Sequence, residues 1–148
     1  MKTLTVLEPW AFLIVAGHKR IETRSWATKY RGELAIHAGH AMDEDGEALI
    51  EELTRPMGRG RTESAGGAWL APLKGYGFDR GEMGKVIGVV ELVDVVRIDR
   101  RLAMALSPKE RMLGDYAEGR WAWMLEHPRR LVAPVEARGH LGLWEVRL

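Results

Sequence analysis

The sequence predicts an α+β fold: a mixed, mainly antiparallel β-barrel or sheet with peripheral helices. Three observations carry this. The run VIGVVELVDVVRI at 86–98 is dominated by β-branched residues over strand length. Three further strand-like segments, RWAWMLEHPRRLV, PVEARG and LGLWEVRL, follow one another with Pro and Gly punctuation. Strands in succession exclude a regular βαβ alternation, so the helical segments must sit at the periphery. With 148 residues, 46% of them hydrophobic, the chain holds one domain over 1–148 with a real core and is too short for two.

Taken in order, the first helix begins with Pro9 in its opening turn and stops at Gly17, with Trp10, Leu13 and Ile14 on one face. Lys19–Trp26 reads as an irregular strand with Ile21 inward, and Thr28–Gly32 as a loop. Glu33–Ala38 is a short apolar strand, and Ala41–Leu53 has the periodicity of an amphipathic helix. Thr54–Gly84 is weakly organised, with eight glycines and two prolines and a basic tip at Arg55, Arg59 and Arg61. A stretch of that kind is a functional or mobile loop, whose arginines either clamp a ligand or form a disordered tip. After the 86–98 strand, Ser107-Pro108-Lys109-Glu110 forms a capping box that opens a helix through about Ala117.

Composition narrows the chemistry. A net charge of +1 excludes a protein that coats nucleic acid by its global field, so any phosphate-binding surface must be a local cluster. The absence of cysteine removes disulfides, thiolate metal sites and a cysteine nucleophile. The N-terminal MKTLTVLEPWAF lacks the pattern of a signal peptide, and no apolar run reaches membrane-spanning length, so a cytoplasmic location without membrane contact is expected. There is no Asn or Gln, and Arg outnumbers Lys sixteen to six, a bias that a thermophile and a GC-rich genome would both produce. It also removes the side chains that read adenine through paired hydrogen bonds, leaving Arg, Ser/Thr, acids, backbone and stacking for base recognition.

The sharpest constellation lies in EPWAFLIVAGHKRIETRSWATKYRGELAIH, where Lys19, Arg20, Glu22 and Arg24 sit between Trp10 and Trp26. Cations beside aromatic rings suit a ligand that carries phosphate and stacks bases. Gly17 lets the chain turn off the helix just before Lys19. Without further context, the same residues also describe a solvated strand with i, i+2 salt bridges. Among the tryptophans, Trp121 and Trp123 share a strand face, Trp144 reads as core, and Trp26, in polar RSWATKYR, reads as an exposed stacking surface. His37, at a strand end, His40 and Asp43, at a helix start, are spaced three apart but share no fixed geometry, so no metal site is expected. The glycines of GYGFDRG match neither dinucleotide nor P-loop spacing, and Ser25, Ser64 and Ser107 lie in no nucleophile elbow. No cofactor is expected.

The long stretch from Glu8 resembles the opening of the ASCH domain family, the activating signal cointegrator 1 homology region. Its signature runs through Pro9, Trp10, Gly17, Lys19, Glu22, Arg24, Ser25, Trp26, Thr28, Arg31 and Gly32. GKVIGVVELVDVV is similar to the family's central strands, and WAWMLEHPRRL with GHLGLWEV to its closing ones. The resemblance implies a PUA-like barrel with a cleft between barrel and first helix, lined by the G-x-K-x-x-E-x-R segment. It implies nucleic-acid binding, of RNA or another single strand, with Trp10, Lys19, Arg24, Ser25, Trp26, Tyr30 and Arg31 as binding residues. Relatives that deacetylate N4-acetylcytidine, and ribonucleases within the family, imply an alternative: a hydrolase acting on a modified nucleoside or on RNA. Lys19 would then be base or nucleophile, Glu22 its proton partner and Arg24 the stabiliser of negative charge. The amidohydrolase branch carries threonine where this chain has Glu22, which places the sequence nearer the cointegrator-like branch.

Overall fold

The computed structural model describes residues 1–54 and 80–148, the side chains of 50–54 and 80 excepted. The loop prediction over Thr54–Gly84, with Arg55, Arg59, Arg61 and Trp69, lies for the most part outside the described residues. The described elements are β1 (Lys2–Glu8), α1 (Trp10–Val15), β2 (Ile21–Arg24), β3 (Gly32–Met42), α2 (Glu44–Thr54), β4 (Lys85–Arg97), α3 (Arg100–Ala105), α4 (Pro108–Met112), β5 (Trp121–Glu136) and β6 (Leu143–Glu145). The strands form a six-stranded sheet in the order β2-β5-β4-β3-β1-β6. Among the described residues only β1 and β3 pair in parallel, and the other four ladders are antiparallel. The predicted α+β, mainly antiparallel architecture is therefore the observed one, as a strongly curled sheet whose edge strands do not pair.

Several boundaries differ from the sequence expectation. The residues before Pro9, which carry no expected element, form β1, alternating buried Leu4 and Val6 with half-buried Thr5. β3 continues through His37 to Met42, so His37 is mid-strand and α2 starts only at Glu44. In β2, Ile21 is half-buried while Glu22 and Thr23 are buried, the reverse of an apolar-inward strand. The segments expected as two strands around Pro134 are one, β5. Its prolines are tolerated because β2 covers only Ile21↔Met124 to Arg24↔Trp121, and among the described residues the rest of β5 is paired on one side alone. Ser107 caps as expected, accepting from the Glu110 amide at 3.2 Å, but the helix ends at Met112.

α1 is buried along Ala11–Val15 and lies against the sheet, where Ile14 and Val15 join Leu34, Ile36, Ile87, Val90, Leu92 and Trp123 in the main core. Gly88 permits this approach: a Cβ there would stand 2.6 Å from Val15 and 2.8 Å from the Arg129 carbonyl oxygen. A smaller cluster of Phe12, Leu13 and Leu113 fastens the chain after α4 to the other flank of α1. Leu113 of this cluster also lines the cleft described next. Among the described residues no helix is long and apolar enough to cross a membrane.

Candidate functional site

Two residues past the end of α1, Gly17 with a φ of +83° reverses the chain. The amides of His18 and Lys19 then both donate to the Leu13 carbonyl at 2.9 Å, which fixes the Lys19 backbone and turns its side chain inward. Lys19 is only 2% exposed. Its Nζ donates to the Leu113 carbonyl and lies 5.5 Å from the centre of the Trp10 ring. Burial pulls the ammonium pKa down from its ordinary value, while Glu22 and Glu110 hold it up. Glu110 also accepts from the Arg20 amide at 3.0 Å, so α4 is docked onto the start of β2.

Beyond Lys19, the antiparallel ladder to β5 carries Glu22 and Arg24 along β2. One Glu22 oxygen accepts from the Thr23 amide at 2.7 Å, and the other lies 3.5 Å from Arg24 Nη2. The same Nη2 donates to the Thr5 carbonyl at 2.7 Å. Trp26 follows, half-buried, standing edge-on to Trp123 with centroids 4.8 Å apart. Its carbonyl accepts from Trp123 Nε1 at 3.3 Å. Trp26 is thus anchored to the core through one edge, where an exposed ring was expected.

These groups border one cleft of roughly 1340 Å³ between α1, β2, the Met112–Asp115 segment and the Arg138–Gly142 turn. It brings together Trp10, Lys19, Glu22, Arg24, Ser25 and Trp26. Tyr30 and Arg31 lie outside it. The Tyr30 hydroxyl donates to the Glu33 carbonyl, and Arg31 pairs with Asp94 at 3.2 Å while bonding the Thr28 and Tyr30 carbonyls. The cleft also holds residues absent from the sequence-derived set: Thr23, His37, Arg120 and the Arg138–Gly142 turn. Their sequence signals are slight: the three-residue spacing of His37 from His40, Gly119 before Arg120, and the paired glycines Gly139 and Gly142.

His37 forms the floor at the second end. Its Nε2 donates to the Ala137 carbonyl at 2.9 Å, which leaves Nδ1 as the unprotonated nitrogen, buried and without a partner. Burial lowers its pKa, which favours this neutral form. Trp144, read as core, is half-buried here, edge-on to His37 at 5.5 Å and His140 at 5.2 Å. Among the described residues no group of three His, Asp or Glu side chains is arranged to hold a metal.

The model of the ASCH domain matches residues 4–135. The chain belongs to the ASCH domain family. It is 24% identical over 143 residues to activating signal cointegrator 1 of Homo sapiens and 23% identical to that of Mus musculus. The matches cover 97% of this chain but only 22% of each relative, so the chain spans about a fifth of the length of the curated relatives it matches. The crystal structure of an ASCH protein from Zymomonas mobilis superposes with a TM-score of 0.54 at 18% identity, covering 99% of this chain and 87% of that one. Two variants of the same protein superpose with scores of 0.53 and 0.52. At such identity these structures speak for the fold, and they agree with the architecture that the family resemblance implies.

Proposed function

We propose that this ASCH domain binds single-stranded RNA in the cleft between α1 and β2. The observation that carries the reading is the convergence of Lys19 and Arg24 with Trp10 and Trp26 on one cavity. Arg24 supplies a fixed cation for phosphate, Lys19 a deeper one, and the exposed parts of Trp10 and Trp26 supply surfaces for a base. The cavity of roughly 1340 Å³ exceeds the roughly 300–1,000 Å³ of an ordinary small-molecule pocket, which suits a stretch of chain better than one nucleoside. Glu22, Asp43, Asp45 and Asp115 share the cleft, so attraction comes from local pairing and the footprint is small.

Titration of tryptophan fluorescence with short single-stranded RNA across a salt series, wild type beside Lys19→Ala, tests this. The expected result is quenching that weakens with salt by about 0.7 log unit of affinity per decade for each phosphate engaged, and that the variant loses. Equal binding by both proteins would remove Lys19 from the site.

One observation favours hydrolysis as a second reading: burial lowers the Lys19 pKa, as a general base requires. Against it, Lys19 forms no ion pair with Glu22 or another described carboxylate, and its bond goes to the Leu113 carbonyl. Release of acetate from N4-acetylcytidine, abolished in Lys19→Ala, would establish the hydrolase. Intact nucleoside beside bound RNA would leave the binding module.

A further inference from the structure

We propose that Arg24 and Arg120 form a phosphate site at the β2 end of the cleft, with Arg120 as the second arm. This rests on the nucleic-acid reading above and extends it to a residue outside the G-x-K-x-x-E-x-R segment.

Arg120 is held in place from both sides. Gly119, at φ +89°, turns the chain into β5, and the Arg120 amide and carbonyl bond Ala117 at 3.2 Å and Ile98 at 2.8 Å. The register Thr23↔Ala122 and Arg24↔Trp121 sets Arg120 next to the end of β2, and both arginines line the cleft. Each guanidinium is then tied to a main-chain carbonyl through Nη2: Arg24 to Thr5 at 2.7 Å, Arg120 to Thr23 at 3.3 Å. Two long cationic side chains are therefore fixed before any ligand arrives, which lowers the ordering cost of binding.

Both also have an unanswered donor. Arg24 Nε and Arg120 Nε are buried and have no hydrogen-bond acceptor. A cationic N–H shielded from water without an acceptor is a costly arrangement that an oxyanion relieves. Asp115 is the carboxylate nearest Arg120, but its oxygen stands 3.6 Å from Nε, beyond hydrogen-bond range, and its side chain is exposed. Asp115 thus occupies the approach to Arg120 weakly and can be displaced. A tetrahedral phosphate can accept from two guanidinium forks at once. Arg31, one of the binding residues that the family resemblance implies, is engaged by Asp94 outside the cleft.

The test uses the 148-residue chain and three probes: inorganic phosphate, a single-stranded RNA hexamer, and the same hexamer with a 5′-phosphate. Inorganic phosphate should displace RNA from the wild type. Arg120→Met should weaken RNA binding about tenfold or more and reduce the salt slope by about 0.7, one phosphate's worth. Arg120→Lys should restore part of the slope but not the affinity, because a point charge lacks the fork. Loss with both hexamers assigns the site to a backbone phosphate, and loss confined to the phosphorylated one assigns it to a terminus; either supports the pair. Wild-type affinity and slope in Arg120→Met overturn it. If the wild type binds inorganic phosphate, Arg120→Met does not, and neither binds RNA, the anion site stands and the RNA reading fails. Should loss of the Thr23 contact unfold Arg120→Met, Asp115→Asn decides, since it leaves that contact intact. Freed of its carboxylate neighbour, the site should bind about threefold tighter, and unchanged affinity overturns the proposal.

Discussion

Arg24 Nη2 donates to the main-chain carbonyl of Thr5 at 2.7 Å, and so links two strands from opposite ends of the sheet. β2 is one edge, and β1 lies one strand in from the other, with β6 covering only Lys2–Leu4. Thr5 therefore has a carbonyl beyond the reach of β6, and the curl of the sheet brings Arg24 to it. One side chain closes the barrel that the backbone leaves open, and the same side chain faces the cleft.

Arg24→Ala should consequently lose stability and binding together. Removing a charge-assisted bond to a half-buried carbonyl costs about 1–2 kcal/mol, read by chemical denaturation. RNA affinity should fall about tenfold or more in the same variant. Arg31→Ala is the control: its partner Asp94 is exposed, so stability should change by less than about 0.5 kcal/mol and RNA affinity by less than about twofold. A large binding loss in Arg31→Ala would mean that the ligand extends past Trp26 along the outside of the sheet.

Gly114 sets the position of the Lys19 ammonium. A Cβ there would lie 3.2 Å from Lys19 Nζ and 3.0 Å from the Tyr116 ring, tight enough to push the flexible lysine end from its place. Gly114→Ala is expected to cost about 1 kcal/mol or less, since the displaced group is a side-chain end. RNA affinity should fall severalfold with no change of charge. Unaltered affinity would show that the exact seat of the ammonium is unimportant to the ligand.

Glu8 gives the fold a pH dependence of unusual sign for a carboxylate. It is 1% exposed, accepts from the Phe12 amide at 3.0 Å at the start of α1, and burial raises its pKa from 4.5 to about 7. The folded state therefore holds a proton that the unfolded chain has released between those values. Its contribution is fully present below pH 4.5 and is lost as pH rises through about 7, by about 3 kcal/mol. Glu8→Gln keeps an acceptor for Phe12 and should be more stable than wild type at pH 8 by about that amount, the two converging near pH 4. Parallel stability curves for the two proteins would contradict the raised pKa.

The residues that align along one element were legible in the sequence: the helix bounded by Pro9 and Gly17, the β-branched β4, the Ser107 cap, and the placement of Lys19, Glu22 and Arg24 after a glycine turn. The rest depended on distant chain meeting distant chain. β1 is short and borders a helix, so its strand character comes from its parallel pairing with β3. His37 reads as a strand end because Gly39 and His40 interrupt the apolar pattern, yet the ladder to β4 and the Ala137 carbonyl bury it. Arg120 and Arg31 are both arginines beside an aromatic segment. Which of them faces the cleft is fixed by the register of β5 on β2 and by Asp94, neither visible in local spacing.

Gly88 shows the same dependence on a partner far away in the chain, and its substitution is the most direct check on how α1 is seated. Its backbone is ordinary strand, so alanine meets no conformational objection there. The obstacle is contact alone: the new Cβ would stand 2.6 Å from Val15 and 2.8 Å from the Arg129 carbonyl oxygen. Neither can yield cheaply, since Val15 is buried in α1 and Arg129 belongs to the β5 backbone. Gly88→Ala should therefore lose about 2–3 kcal/mol in chemical denaturation, by forcing helix and sheet apart. Because α1 carries Trp10 and positions Lys19, RNA affinity should fall as well, under conditions where the variant is still folded. Adding Val15→Ala removes the nearest obstructing atom, Val15 Cγ1, and leaves the Val15 Cβ and the Arg129 oxygen, each at 2.8 Å. If overpacking is the cause, the double variant loses less than the sum of the two single losses, by about 1 kcal/mol or more.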